Sequence, residues 1–350
     1  MKLGNIRPIL QKGPVTASAP CRIDFGGTLD IPTFHFPLRR LRPQTVNIAL
    51  DQRTFVTFHP SEDARIRISS QGIADDAFEA GTAPYDHPLG LMFAVADYFA
   101  VEGVHIDIRS TSPPRSGLGG SSVAAVALIA AFSKVMQRMG QSGVSPERMA
   151  LLAQAIEQGT AGIPCGIQDQ LAAAFGGVNA WSWPAIPGRS PFLRRPLLAK
   201  DHYSLLDRSL LVAYLGVTHT SSDINSRWVK QFIGGRHRDK WRTITRLTHE
   251  FADALDCLDL NAAADAMNRE TTVRKELTPQ VLEKLGERLW GAAIQTGCGA
   301  RFTGAGGGGC LWAIGEPDNI TALKPAWEEL LTQRPGAGLI QCKLDERGVD

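Results

Sequence analysis

The sequence predicts a protein of mixed strands and helices, arranged as two domains or two fused lobes, and three observations point to it. At 350 residues the chain is too long for one small core. Its first third carries short segments rich in β-branched residues with turn signals nearby. Residues 223–290 repeat their apolar positions with a helical period. Hydrophobic residues make up 43%, charged residues 21%, and the formal net charge is +2, an ordinary globular balance that gives no ground for nucleic-acid binding.

Taken in order, "VTASAPCRIDFGGTLDI" (15–31) starts as a strand and breaks into a loop at Gly26 and Gly27. "TVNIAL", "TFVTFHP" and "RIRISS" read as three further short strands. Residues 89–101 read as a helix, and "VHIDIRS" as a strand with Val104, Ile106 and Ile108 on its buried face. The run "SVAAVALIAAFSKVM" (122–136) is apolar nearly all round, as a helix enclosed by protein would be. "SPERMALLAQAIEQ" opens with Ser145 as N-cap and Pro146 in the first turn. The Pro- and Arg-rich stretch 184–200 reads as a loop or lobe junction, "RSLLVAYLG" as a strand, and "ARFTGAGGGGCLWAIG" as a glycine run between two strands. The six cysteines show no zinc spacing and are expected to be buried thiols of a reducing cytoplasm. No window reaches the ~18 uninterrupted apolar residues of a membrane span, so the expected location is cytoplasmic, away from membranes. Nothing in the sequence sets the oligomeric state.

Three glycine-rich stretches carry the chemistry. In "PPRSGLGGSSVAAVAL" (113–128), glycines let backbone approach a ligand, and the helix that follows presents unpaired N–H groups with partial positive charge. That combination suits phosphate, and a serine hydroxyl there suits Mg2+, a hard cation; a plain serine-capped turn is the alternative. No GxxxxGK[ST] occurs, so this is not a Walker A loop. "GAGGGG" (304–309) matches GxGxxG formally but leads into a strand, so a dinucleotide fold does not follow; close approach to another segment or a phosphate does. In "EQGTAGIPCGIQDQ", Glu157 and Asp169 lie twelve apart across a turn-forming loop and are candidates to converge on one Mg-phosphate site.

These stretches, in this order, resemble the GHMP small-molecule kinases, and within them the sugar-kinase branch that includes D-glycero-D-manno-heptose 7-phosphate kinase and the fucokinase domain. "APCRIDFGGTLDIP" is similar to the N-terminal motif, "PPRSGLGGSSVAAVAL" to the phosphate loop, "GIPCGIQDQLAAAFGG" to the segment bearing the catalytic aspartate, and "TGAGGGGCLWAI" to the C-terminal glycine motif. The resemblance implies a two-lobed α+β fold, with a ribosomal protein S5 domain 2-like N-terminal lobe over 1–200 and a ferredoxin-like C-terminal lobe over 201–350. It implies ATP at Pro114, Ser116, Gly117, Leu118, Gly119, Gly120, Ser121 and Ser122, and Mg2+ on Glu157 with Ser121 or Ser122. Asp169 would orient or deprotonate the attacking hydroxyl, and Arg22 would stabilise the transferring phosphoryl or acidify Asp169; both fit phosphoryl transfer, which rests on positioning and charge. Asp24, Asp30, Gly166, Asp169, Gly306 and Gly307 would line the substrate site, with Thr220, Ser221 and Ser222 as weaker candidates.

The implied activity is phosphorylation of a sugar or sugar phosphate, heptose 7-phosphate-like or fucose-like, at the anomeric hydroxyl by branch resemblance alone. Two departures stand out. Galactokinases carry Glu-His before the first-motif aspartate, whereas Gly26, Gly27, Thr28 and Leu29 precede Asp30 here; the heptose-kinase pattern has an extra glycine before Thr-Asp, and here Leu29 lies between Thr28 and Asp30. Arg39, Arg40 and Arg42 are candidates to meet an anionic group on the sugar, set against a solvated charge run. A GHMP kinase for another alcohol, such as galactose or mevalonate, and a sugar- and ATP-binding regulator without turnover are the alternatives; the joint presence of Arg22, Ser121, Glu157 and Asp169 speaks against the regulator.

Overall fold

In this computed structural model, residues 2–162, 164–184, 190–217 and 221–350 are described, apart from the side chains of Ser221, Ser222 and Asp223. The strands are β1 (Gly4–Asn5), β2 (Val15–Phe25), β3 (Gln44–Pro60), β4 (Ile66–Ser70), β5 (Ile73–Phe78), β6 (Val101–Glu102), β7 (Val104–Ser110), β8 (Val178–Ser182), β9 (Leu193–Pro196), β10 (Leu210–Tyr214), β11 (Gly299–Phe302), β12 (Cys310–Ile314) and β13 (Gly338–Ile340). The helices are α1 (Arg7–Leu10), α2 (Pro32–His35), α3 (Gly90–Tyr98), α4 (Gly120–Arg138), α5 (Pro146–Ala161), α6 (Gln168–Phe175), α7 (Tyr203–Arg208), α8 (Ser221–Ile233), α9 (Arg238–Asp256), α10 (Leu260–Leu277), α11 (Lys284–Gln295) and α12 (Pro317–Leu331).

The long strand β3 organises the first half. Along one edge it pairs antiparallel with β2; along the other it pairs with β8 at its start and β7 at its end. The sheet runs β5-β4-β7-β3-β8-β9, and only the β4–β7 pair in it is parallel. "TVNIAL" and "TFVTFHP" are thus one strand rather than two. The polar "DQR" between them leaves Asp51 exposed, and its carboxylate accepts from the Lys343 N–H. Six strands escaped the sequence reading: the short β1, β6 and β13, β8 directly after α6, β5, whose Asp75 and Asp76 hide its apolar alternation, and the exposed edge strand β9 inside the Pro/Arg stretch.

α4 lies under the sheet, buried over most of its length. Among the described residues it is the one helix long and apolar enough to cross a membrane, and its apolar surface is spent in the core. α5 begins as expected, with the Ser145 side chain accepting from the Arg148 N–H. The second half is a four-stranded antiparallel sheet, β11-β12-β10-β13, with α8 to α12 around it. α9 packs on β3, and Phe25 stacks on Phe251 at 4.1 Å between ring centroids, which joins the halves. The chain then returns to the first half. Arg53 holds the Asp345 carboxylate at 2.5 Å and donates to the Gly348 carbonyl, and Asp350 accepts from both the Ser18 N–H and its hydroxyl. Of the six thiols only Cys21, Cys298 and Cys310 are buried; Cys165 and Cys342 are partly exposed and Cys257 fully, which corrects the expectation of burial throughout.

Candidate active site

A cavity of 1290 Å³ runs along the first half, from Ser70, Ile73, Met92 and Ile108 at one end to Thr28, Asp30, Gly166 and Asn225 at the other. The glycine-serine loop crosses its middle. Gly119 takes φ 85° as the residue that starts α4, and no side chain caps that helix end. The serines are therefore not caps. They sit in the first turn, Ser121 exposed and Ser122 buried, with backbone N–H groups free of side-chain partners beside the cavity.

Pro114, Ser116, Gly117, Gly119, Gly120, Ser121 and Ser122 all line the cavity. Leu118 does not: it is fully buried as the loop's anchor, while its carbonyl accepts from the Arg22 N–H. The second glycine run explains itself by close approach. A Cβ on Gly309 would stand 2.5 Å from the Ser116 carbonyl oxygen, so the two loops touch backbone to backbone.

Glu157, in the last turn of α5, meets the loop from the far side. One of its oxygens accepts from the Ser122 hydroxyl at 2.7 Å and from the Gln170 amide at 2.6 Å. Burial pushes the Glu157 pKa up, and repulsion from Asp169 adds to that. Among the described residues no three His, Cys, Asp or Glu side chains cluster as a metal site. The oxygens of Glu157 and the serines are nonetheless the hard donors Mg2+ prefers, and a cation there offsets the local excess of negative charge.

Asp169 stands at the start of α6. Its Oδ1 accepts from Arg22 Nε at 2.9 Å and lies 2.8 Å from Nη2, and a Cβ on Gly119 would be 3.4 Å from its Oδ2. Burial raises its pKa; Arg22 pulls the other way without cancelling it. The expected acidification of Asp169 by Arg22 is thus present but outweighed. Arg22 itself is buried on β2, its third donor on the Gly117 carbonyl at 2.5 Å.

At the far end Asp30 accepts from the Gln168 N–H at 3.0 Å, and burial raises its pKa to about 6. Gly166 is there because nothing larger fits: a Cβ would fall 1.7 Å from Asp30 Oδ2.

Two substrate-side expectations change. Asp24 is absent from the cavity wall and wholly buried; its oxygens take the Gly304 N–H at 2.7 Å and Arg301 at 3.2 Å, so it braces rather than binds. Gly306 and Gly307 pack against Val281, Phe302 and Ile224, and it is Gly304 and Ala305 that reach the cavity. Arg39, Arg40 and Arg42 are exposed and off the cavity, Arg39 lying over the Phe36 ring. Thr220 and the side chains of Ser221 and Ser222 lie outside the described residues.

Sequence reasoning passed over Gln170, Thr28 and Asn225, which line the cavity. Gln170 follows Asp169 directly, and only the fold shows it reaching back to Glu157. Thr28 carries a signal only as structure, a non-glycine residue at φ 80°.

Residues 88–177, the span that holds the loop, Glu157 and Asp169, match the GHMP kinases N terminal domain model. The chain belongs to the GHMP kinase superfamily and is a phosphotransferase with an alcohol group as acceptor. It is similar to the D-glycero-alpha-D-manno-heptose 7-phosphate kinase of Campylobacter jejuni, 27% identical over 59% of this chain and 60% of that protein. The mevalonate kinase of Pyrococcus abyssi is 24% identical over 89% of this chain and 92% of its own. Among solved structures, Lactococcus lactis galactokinase complexed with galactose has the same fold, with TM-score 0.74 at 18% identity, covering 97% of this chain and 95% of that one.

Proposed function

We propose that the chain transfers the γ-phosphoryl of Mg-ATP to a hydroxyl of a sugar or sugar phosphate, heptose 7-phosphate-like or fucose-like, at the anomeric position. The lobes are 1–200 and 201–350, and the cytoplasm is the setting. The carrying observation is the place of Asp169, ion-paired to Arg22 and set beside the phosphate loop, where a Cβ on Gly119 would stand 3.4 Å from its Oδ2. From there the carboxylate takes or orients the proton of an acceptor hydroxyl, and its raised pKa suits a base working near neutral pH. Arg22 holds that carboxylate in line and presents positive charge to the phosphoryl oxygens. The first turn of α4 receives the phosphates, and Glu157 with Ser121 or Ser122 would hold Mg2+. That ion would supply charge neutralisation on the phosphates.

A sugar suits the acceptor end better than mevalonate does. Asp30 and Asp169 face it, so the vicinal hydroxyls of a sugar would find two acceptors there. Mevalonate remains the second reading, on the longer match to mevalonate kinases. ADP release from Mg-ATP is to be measured against free sugars, 6- and 7-phosphorylated sugars, uronic acids, deoxysugars, galactose and mevalonate. Turnover with one sugar class supports the proposal; turnover with mevalonate alone, or none with nucleotide bound, sinks it.

A further inference from the structure

Behind the cavity six charged side chains form a single row. Arg274 Nε lies 2.7 Å from Glu270, Glu270 lies 3.0 Å from Arg301 Nε, and Arg301 Nη1 lies 3.2 Å from Asp24. Asp24 is 3.6 Å from Arg22 Nη1, and Arg22 is 2.8 Å from Asp169. The signs alternate from end to end. The first four side chains are fully enclosed, while Arg22, 3% exposed, and Asp169, 24% exposed, are the two that line the cavity. The far end is anchored: Arg274 sits between the Trp228 and Trp241 rings, 4.8 Å from each centroid, and donates to the Gly27 carbonyl at 2.6 Å.

We propose that Arg301, backed by Glu270, is a positioning residue that keeps Arg22 on Asp169 by occupying the far side of Asp24. This rests on the reading of Arg22 and Asp169 as the working pair. Taking so many ions out of water costs several kcal/mol for each, and apolar replacements of buried ion pairs are often neutral or stabilising, so stability alone does not account for the row. Its geometry does something apolar packing would not. The Asp24 carboxylate has two claimants, Arg22 from β2 and Arg301 from β11, with the Gly304 N–H as its further donor, while the Trp312 indole donates to the Asp24 backbone carbonyl. With Arg301 in place, Arg22 stands off at 3.6 Å and turns two nitrogens to Asp169. Without it, Asp24 draws Arg22 back. Arg301, Glu270 and Arg274 belong to the second half and Asp24 and Arg22 to the first, so the docking of the halves sets the pair.

The test is a pair of double-mutant cycles in the full chain, read as unfolding constants in urea. In an alternating row, Arg301→Met costs less in an Asp169→Asn background, because Asp24 then has Arg22 to itself. Glu270→Gln costs more there, because the row already has excess positive charge. The expected coupling is a change of about fivefold in the unfolding constant, of opposite sign for the two variants, between residues that do not touch. Equal costs in both backgrounds for both variants overturn the proposal and leave Arg301 as interface filling. If Arg301→Met does not fold, the Glu270→Gln cycle decides alone by its sign.

With the acceptor found in the panel, Arg301→Met is expected to lower kcat about 100-fold while KM for Mg-ATP is unchanged, and Arg301→Lys to restore most of the loss. Wild-type kcat in folded Arg301→Met, or Lys no better than Met, counts against it. The cycles need no acceptor, so a silent panel tells failure of the kinase reading apart from failure of this one.

Discussion

The cavity and the row behind it use the same side chains to opposite ends. In the row each carboxylate has guanidinium groups on it, and Glu270 is held below the usual carboxylate range because Arg301 and Arg274 outweigh its complete burial. At the cavity Arg22 pairs with Asp169, no ion pair reaches Asp30 or Glu157 among the described residues, and all three carboxylates are pushed up by burial. The difference is one of compensation. The row balances its charges, with only Arg274 Nη1 and Arg301 Nη2 left without a hydrogen-bond partner, whereas the cavity keeps uncompensated negative charge that a cation and polar ligands can relieve. A site that must bind and release is left electrostatically incomplete, and its frame is closed.

The hardest way to break that contrast is to remove the one cavity carboxylate tied to the frame. Asp169→Asn is expected to lower kcat about 1,000-fold while sugar binding, measured by calorimetry, is retained; full activity would remove the aspartate from the mechanism. The next effect sharpens the contrast by pH. Native Asp30 keeps its proton to about 6, against the ordinary 3.8, so the folded form binds more protons across that window and stability falls as pH rises through it. Asp30→Asn abolishes the fall, and its stability relative to wild type should rise by about 3 kcal/mol between about pH 3.5 and about pH 8. A flat difference across that range would show the Asp30 carboxyl to be ordinary.

Smaller again is Glu157→Gln, which keeps the shape and drops the charge. It should raise the Mg2+ concentration needed for half-maximal nucleotide binding about tenfold, with Ser121→Ala following in the same direction; an unchanged Mg2+ titration for both would move the metal elsewhere. The smallest is Arg39→Ala with Arg40→Ala. These side chains are solvated and off the cavity, so activity should stay within about twofold, and a large rise in KM for a phosphorylated sugar would contradict that placement.

The loops were legible because glycine is demanded for local reasons. Gly117 and Gly119 take positive φ, and Gly309 sits against backbone, so the residues announce the geometry. Ser145 and the apolar α4 were legible by the same local logic. The row was not. Glu270 and Arg274 lie four apart on a helix, which in sequence reads as an exposed pair, and Arg301 looks like an edge residue of a short strand. Asp24 was assigned to the substrate for the same reason: its chemistry is visible in the sequence, but the side of the strand that buries it depends on β11 and β12, far away in the chain. The 17-residue β3 was split because its polar middle is excused only by the returning segment at Lys343.

That returning segment has a further consequence for the order of events during synthesis. Arg53 is enclosed by Asp345 and Gly348, and a Cβ on Gly348 would fall 2.1 Å from the Ala174 carbonyl, so the segment seats directly on the end of α6. The helix that carries Asp169 and the strand next to Arg22 therefore receive their last partners from residues translated some 170 to 290 positions later. Contacts of such separation form slowly, and the first half leaves the ribosome with Arg53 held by the Ser18 hydroxyl and carbonyl but without a carboxylate, a cation in waiting until the second half has folded and brought Asp345 and Asp350 back.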